Sequence, residues 1–292
     1  MNNISEKTLS TIKKMQLGEL TESIIYTKIA KFAKGEDNKK TLLKLAAEEK
    51  AHALIWEKYT NIKMKPKKGK IFKYVFLARI FGFTFAIKLM EKGEKNAQTV
   101  YEEIAKEIPE AIEIEKQEEE HEQALISILD EERLKYVGSM VLGLNDALVE
   151  LAGSIAGFTF ALKDTRLIAL SGLIVGISAT FSMAASEFLS ARSEGRKDAF
   201  KSCAYTGVAY LVTVALLVLP YLIFPIKAYL PAFFTMLGVI VLIISGFTFY
   251  ISVVKEQKFF KHFIEMFLIS VGVAVVSFAV GLLAKKLIGV DI

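Results

Sequence analysis

The chain has 292 residues, of which 53% are hydrophobic, and a formal net charge of +5 at pH 7. The hydrophobic share exceeds the roughly 45–50% of an average soluble domain. The single cysteine excludes both a disulfide and a cysteine-based metal site within one chain. The net charge is too small, and too evenly divided along the chain, to indicate a nucleic-acid partner.

Charged residues are concentrated in the first half of the chain. Residues 1–135 hold 25 of the 37 Lys and Arg and 23 of the 32 Asp and Glu, whereas residues 136–292 hold 12 and 9. This change predicts a soluble domain over residues 1–134 and an apolar membrane domain over residues 135–292. The first residues lack the apolar segment of a signal peptide, so we expect the first domain to lie in the cytoplasm.

Apolar residues recur at three- and four-residue steps along the first half, which predicts helices and no strands. Four long helices of this kind indicate an all-α four-helix bundle. Gly93 is a candidate interruption of the third helix. The predicted helices cover residues 4–34, 39–59, 71–107 and 109–132.

Residues 71–90 are apolar enough to resemble a membrane span. Lys73, Arg79 and Lys88 interrupt the segment, and charges of this kind are costly within a bilayer. We therefore interpret it as a buried helix of the bundle. Contact with the membrane surface is the alternative interpretation.

Two Glu-x-x-His motifs stand in the first half, Glu49 with His52 and Glu118 with His121. The chain contains only three histidines, and two of them belong to these motifs. A separation of three places both side chains on one helix face. In a carboxylate-bridged dinuclear metal site, two helices each supply such a motif and two others each supply a Glu. The motif carboxylates are expected to bridge both metals, and each imidazole to bind one.

The other two helices each offer two candidates for the remaining ligand. Glu19 and Glu22 lie one turn apart on the first helix, and Glu91 and Glu94 lie one turn apart on the third. Carboxylate and imidazole ligands suit iron or manganese. A solvated helix face is the alternative, but two motifs on alternate helices of a histidine-poor chain favour metal. The pattern predicts a dinuclear iron site, with manganese as the second choice.

The first half resembles the rubrerythrins and related ferritin-like proteins over about residues 5–132. The resemblance lies in "LGELTESIIYTKIAKFA…AEEKAHALIW" and "MEKGEKNAQ…EEEHEQAL". No rubredoxin-like four-cysteine site follows, which argues against reductase-coupled peroxidase chemistry. By position, the resemblance implies six metal ligands, namely Glu19, Glu49, His52, Glu94, Glu118 and His121.

The second half contains five apolar runs, each long enough to cross a hydrocarbon core of about 30 Å. With a cytoplasmic first domain, nine Lys and Arg flank the spans on the cytoplasmic side and five on the other. This bias follows the positive-inside rule and places the C-terminus on the opposite side of the cell membrane. The predicted spans are residues 137–162, 167–190, 203–224, 229–254 and 263–284.

Charged residues within the first two spans are the informative ones. Asp146 and Glu150 share one face of the first span, and Met183 and Glu187 share one face of the second. A charge at the centre of a span costs about 2.5–3.5 kcal/mol on insertion scales, so such residues usually serve a function. Carboxylates bind divalent cations, and a thioether favours softer ions such as Fe(II). The four residues predict a transport path. The alternative places Asp146 at the interface and Met183 in the core.

The second half also resembles the vacuolar iron transporter family over about residues 133–290. The stretches that carry this resemblance are "VLGLNDALVELAGSIAGFT" and "SGLIVGISATFSMAASEFLSARSE". It implies a homodimer of five-span protomers in membrane lipid that exports Fe(II), or Mn(II), in exchange for protons. Asp146 and Met183 would contact the metal. Plant-type members insert a metal-binding domain between spans two and three, and the first domain here would replace it.

Two functions follow from these patterns. The favoured one is a membrane transporter that exports Fe(II), with a cytosolic dinuclear domain that gathers or senses iron. The alternative is an enzyme, a membrane-anchored ferroxidase or peroxidase of the rubrerythrin type. Five spans with polar side chains exceed what an anchor needs, which ranks the enzyme second.

Overall fold

The computed structural model describes residues 4–91, 98–127 and 135–288. These residues form 11 helices and contain no strand, which confirms the all-α class. The chain divides into two compact units, Met1–Leu134 and Lys135–Ile292. The helices of the first unit are α1 (Glu6–Ala30), α2 (Glu36–Thr60), α3 (Lys68–Phe81), α4 (Phe83–Glu91), α5 (Gln98–Ala105) and α6 (Glu110–Ser127).

Helices α1 and α2 form the framework of the first unit. Ser5 caps α1, since its hydroxyl accepts a hydrogen bond from the backbone N–H of Thr8 at 3.2 Å. Residues 31–35 are too few to let α2 run parallel to α1, so the two helices pack as an antiparallel hairpin. The Ser23 hydroxyl joins them by donating to the Ala46 carbonyl at 2.7 Å.

The third predicted helix is divided in the structure. Gly82 adopts φ +97°, a conformation that L side chains rarely adopt, and it separates α3 from α4. The prediction of one helix over residues 71–107 is therefore wrong within the described part. The interruption predicted at Gly93 lies outside the described residues. Four long helices of a ferritin-like bundle thus remain a prediction.

Helix α3 is only partly buried. Ile71 and Ala78 lie in the core, whereas Phe72 is 73% exposed and Phe76 is 51% exposed. The interpretation of residues 71–90 as a buried helix is therefore wrong for this face of α3. Contact with the membrane surface stays a prediction.

Two apolar clusters hold the first unit together. Ile25, Ile29 and Leu42 join α1 and α2 to residues of α3 and α4. Trp56, which is fully buried, joins α2 to Ile12 of α1 and to residues of α5 and α6. The second cluster lies beside the polar residues described below, and it fixes α6 against the α1–α2 hairpin.

Residues 135–288, the described part of the second unit, form five helices joined by short connections. The first of them, α7 (Val137–Leu162), contains a π-helical segment at Ala147–Leu151, within the region where the acidic residues of the first predicted span lie. Such π-bulges in α-helices often mark functional sites. The helices are α7 (Val137–Leu162), α8 (Thr165–Ser193), α9 (Ala199–Ile223), α10 (Tyr229–Val254) and α11 (Phe259–Ile288).

Small residues allow these helices to approach closely. A side chain at Gly143 of α7 would overlap the Thr206 carbonyl of α9, and one at Gly176 of α8 would meet Val214 of α9 at 2.6 Å. Helices in membranes pack through such small residues, because lipid supplies no hydrophobic force between them. Helix α9 therefore packs closely against both α7 and α8.

Four described helices, α7 to α10, are long and apolar enough to cross a membrane. Their bounds differ by only a few residues from those of the first four predicted spans. The fifth predicted span, residues 263–284, falls within α11. The count of five spans stays a prediction.

We predict that Gly143→Ala destabilises the protein and that Gly157→Ala does not. The added methyl group at residue 143 meets backbone, which cannot rotate away, so the loss should be about 1–3 kcal/mol or more. Gly157 lies on the same helix with nothing within 4 Å of an added methyl group, which makes it the matched control. Thermal unfolding in detergent measures both, and equal midpoints would contradict the close contact of α7 with α9.

Candidate metal centre and polar residues of the membrane helices

Three helices of the first unit bring five of the six predicted ligands together. Glu19 lies on α1, Glu49 and His52 on α2, and Glu118 and His121 on α6. All but Glu118 are at least 94% buried, and the Glu118 side chain is 31% exposed. Buried carboxylates and imidazoles need charged or hydrogen-bonded partners, since burial otherwise carries a large desolvation cost.

Glu118 is the partner that both histidines share. Its Oε1 lies 3.1 Å from Nδ1 of His52, and its Oε2 lies 3.5 Å from Nδ1 of His121. The two imidazole rings stack with their centroids 5.5 Å apart. Each oxygen of one carboxylate thus faces a different imidazole.

Two sets of three side chains offer ligand atoms within 4.8 Å of one another. Glu19, His52 and Glu118 form the first set, which we call the His52 position. Glu49, Glu118 and His121 form the second, which we call the His121 position. Glu118 belongs to both sets, as expected of a bridging carboxylate. Glu49 belongs to one set only, which differs from the expectation that both motif carboxylates bridge.

The two candidate ligands of the first helix, Glu19 and Glu22, have different surroundings. Glu19 accepts a hydrogen bond from the Trp56 indole N–H at 2.8 Å and belongs to the His52 position. Glu22, also buried, accepts a hydrogen bond from the Lys70 ammonium at 2.7 Å. The geometry therefore groups Glu19 with the histidines and gives Glu22 a cationic partner.

The metal ligand expected from the third predicted helix falls on residues whose side chains the structure does not describe. Glu94 lies outside the described residues. Glu91 is the last residue of α4, and its side chain is not described either. Both stay predictions.

Two residues that sequence reasoning missed contact the outer nitrogens of the histidines. Nε2 of His52 lies 2.7 Å from Oε1 of Gln117, and Nε2 of His121 lies 3.0 Å from Oε2 of Glu48. Each of these residues directly precedes the Glu of one motif and contacts the histidine of the other. The sequence signal was present, since both motifs read as Glu or Gln followed by Glu-x-x-His.

These contacts orient both rings and favour a proton on Nε2 of each. Gln117 donates from Nε2 to Glu113 at 3.2 Å, so its Oε1 is left to accept from Nε2–H of His52. A carboxylate such as Glu48 accepts likewise from Nε2–H of His121. Nδ1 of each histidine is therefore the nitrogen that faces Glu118 and is placed to bind a metal.

The described residues leave three buried ligand atoms without a hydrogen-bond partner. They are Oε2 of Glu19, Oε2 of Glu49 and Nδ1 of His121. An unsatisfied buried polar atom costs about 1–3 kcal/mol. All three atoms belong to the two sets defined above, and a metal ion would satisfy them. The donor set, which is rich in carboxylate and imidazole, therefore fits iron or manganese.

The same contacts shift the pKa values of three of these ligands. Burial and the neighbouring Glu118 carboxylate raise the pKa of Glu49 to about 8, although His121 opposes the shift. Burial disfavours the charged form of His121, but Glu118 and Glu49 outweigh it and raise its pKa to about 10. Burial opposes ionisation of Glu118, yet both histidines lower its pKa to about 2. Without metal, the centre therefore holds protons where a cation would lie.

In the second unit, Glu187 of α8 lies in a cluster of polar side chains. Ser139 of α7 donates to its Oε1 at 2.9 Å, and Ser202 of α9 donates to the same oxygen. Arg196 donates from Nη2 to the Ser202 hydroxyl at 3.2 Å and pairs with Asp198 through Nε at 3.1 Å. One carboxylate oxygen thus joins three helices.

The other predicted path residues lie apart from this cluster. Asp146 is half-buried and Glu150 is exposed, and both interact electrostatically with the buried hydroxyl of Tyr210 on α9. Met183 is half-buried and packs against the apolar cluster that contains Tyr210. The four residues do not form one ligand set of the kind found in the first unit, as far as the described side chains show.

Comparison with known proteins bears on the second unit. No curated protein and no solved structure matches the chain. A family model, the VIT family, matches residues 137–199, which cover α7, α8 and the connection to α9. The match does not reach the first unit, so the resemblance to rubrerythrins stays a prediction. Together with the four apolar helices, this match indicates a membrane protein whose residues 137–199 are similar to the VIT family (vacuolar iron transporter).

Proposed function

We propose that the protein exports Fe(II), with Mn(II) as a second cargo, out of the cytosol in exchange for protons. The VIT family match over residues 137–199 carries this proposal, because it indicates transport of metal ions across a membrane. The carboxylates of Asp146 and Glu150 on one turn of α7 support it. Metal binding to such groups competes with protons, which supplies the coupling.

We further propose that the first unit gathers or senses the cargo at a ferritin-like dinuclear site. One metal would be held by Glu19 and His52, and the other by Glu49 and His121. Glu118 would bridge the two. A bound iron pair would supply Lewis acidity and redox chemistry at this site. The surrounding residues bury the ligands and hold the imidazole rings in one orientation.

The assembly and orientation complete the proposal. We propose a homodimer, with the first unit in the cytoplasm and the C-terminus on the other side of the cell membrane. The connection between α8 and α9 supports this orientation, since Arg192, Arg196, Lys197 and Lys201 lie in or beside it. Exposure of the Glu150 carboxylate within an apolar unit supports a partner surface there.

A second function, ferroxidase or peroxidase activity, rests on one observation. Both positions share Glu118 and are supplied by carboxylates and imidazoles, a donor set that leaves coordination sites for oxygen or peroxide. Prior oxidation to Fe(III) would not assist export of Fe(II). The transporter therefore ranks first.

The transport proposal predicts that Asp146→Ala abolishes iron entry into proteoliposomes. Vesicles with an acidic interior and an enclosed iron-responsive dye should take up Fe(II) rapidly with the unaltered protein. The variant should fall to the level of protein-free vesicles, because the carboxylate that exchanges metal for protons is missing. Glu265→Gln, at an exposed pair with His262, is the matched control and should transport normally. Unchanged uptake by Asp146→Ala would overturn the proposal.

The dinuclear site predicts a loss of bound metal in the double variant His52→Ala with His121→Ala. The unaltered protein should retain two metals per chain in the first unit after purification with iron. The double variant should retain none there, because each position loses its only nitrogen ligand. Metal analysis of the full chain measures this, and retention of both metals would refute the site.

Metal affinity of the first unit should rise with pH. Glu49 and His121, with pKa values of about 8 and about 10, carry protons near neutral pH, and ligation requires both to be deprotonated. Between about pH 6 and pH 8, affinity should increase by about tenfold per pH unit for each proton released. Calorimetry in two buffers of different protonation enthalpy counts those protons. An affinity that is constant across this range would contradict the assignment.

A further inference from the structure

We propose that the two metal positions of the first unit are unequal and that Glu48 and Gln117 set the difference. The His121 position binds a divalent ion more tightly than the His52 position, so the centre fills in a fixed order. This inference rests on the proposed dinuclear site and deepens it. It concerns positioning residues, since neither Glu48 nor Gln117 belongs to a ligand set.

The Nε2 atoms of the two rings donate to acceptors of different charge. His121 donates from Nε2 to the carboxylate of Glu48 at 3.0 Å, whereas His52 donates to the neutral amide of Gln117 at 2.7 Å. A carboxylate behind a ligating imidazole raises the basicity of the nitrogen that binds metal. An amide oxygen orients the ring equally well but carries no charge. Nδ1 of His121 is therefore the stronger donor.

The carboxylates Glu19, at the His52 position, and Glu49, at the His121 position, also favour tighter binding at the His121 position. Oε1 of Glu19 already accepts a hydrogen bond from Trp56 at 2.8 Å, which draws electron density away from the His52 position. Glu49 is 97% buried, and its Oε2, like Oε2 of Glu19, lacks a hydrogen-bond partner among the described atoms. No described donor comparable to the Trp56 indole contacts Glu49, so once deprotonated it offers a metal at the His121 position its full charge.

One contact opposes the effect of Glu48. The Lys44 ammonium lies 3.6 Å from Oε1 of Glu48, on the carboxylate oxygen that does not contact His121. The Lys44 side chain is 69% exposed, so water screens its charge. Glu48, whose own side chain is 33% exposed, therefore keeps its negative charge beside the imidazole.

The experiment exchanges the two acceptors. The full-length protein in detergent is titrated anaerobically with Co(II), a divalent probe that is stable to oxidation and has visible absorption. The unaltered protein should bind two ions in separate steps. Outer hydrogen-bonding partners of ligating histidines typically change metal affinity by about 10- to 100-fold, so the steps should differ by about tenfold or more.

The variants Glu48→Gln and Gln117→Glu should move these steps in opposite directions. Glu48→Gln should weaken the tight step, and Gln117→Glu should strengthen the weak one. Both changes together should bring the two steps closer while keeping the net charge, since only the difference between Glu19 and Glu49 then remains. Addition of His121→Ala to the unaltered and to the exchanged protein identifies the step that belongs to the His121 position in each.

Glu119→Gln is the matched control for charge. Glu119 is an exposed residue of α6 that belongs to neither ligand set, and its replacement also removes one carboxylate. It should leave both steps unchanged. If Glu119→Gln and Glu48→Gln weaken both steps equally, the contact has no special role and the inference is wrong.

The remaining outcomes separate this inference from the proposed site. Two equal steps that no exchange alters would overturn the inequality and leave the dinuclear site in place. Failure of the unaltered protein to bind Co(II) in a histidine-dependent way would overturn both.

Discussion

The Glu118 carboxylate, held between two buried imidazoles, is the interaction on which the first unit depends. Its two oxygens face His52 and His121, which come from different helices, so α2 and α6 must keep one register for both contacts to form. Trp56 of α2 helps to fix that register. Its ring packs against apolar residues of α1 and α6, and its indole N–H donates to Glu19. Three buried ligand atoms of this cluster lack a hydrogen-bond partner in the described part of the chain, a cost that a bound cation would remove.

The second unit meets a different constraint. Its helices approach through glycine, and its polar groups need partners inside an apolar environment. Glu187 illustrates the solution, since hydroxyls from α7 and α9 both donate to one of its oxygens. Asp146 and Glu150 are less enclosed and lie beside a π-helical segment, where the regular backbone pattern changes. Glu187 therefore joins helices, whereas the transport role of Asp146 and Glu150 stays a prediction.

Sequence patterns predicted the helices well because hydrophobic periodicity and length determine them directly. The two Glu-x-x-His motifs predicted which side chains would meet, since a three-residue spacing fixes the face of a helix. They could not predict that Glu118 alone would belong to both sets, because that depends on the relative rotation of α2 and α6. Gly82 was missed as the break in the third helix, since its apolar surroundings favour a continuous helix. Glu48 and Gln117 were missed because residues beside a motif look like solvated surface until the opposing helix is placed.

The most direct test of the central claim is X-ray absorption spectroscopy of the iron-loaded full chain at the iron edge. Two metals that share the Glu118 carboxylate should give nitrogen and oxygen ligands and an iron–iron scattering contribution at about 3.5–4 Å. His52→Ala should remove the iron–iron contribution while Glu119→Gln retains it. A spectrum of isolated iron ions in the unaltered protein, with no second iron nearby, would contradict the account.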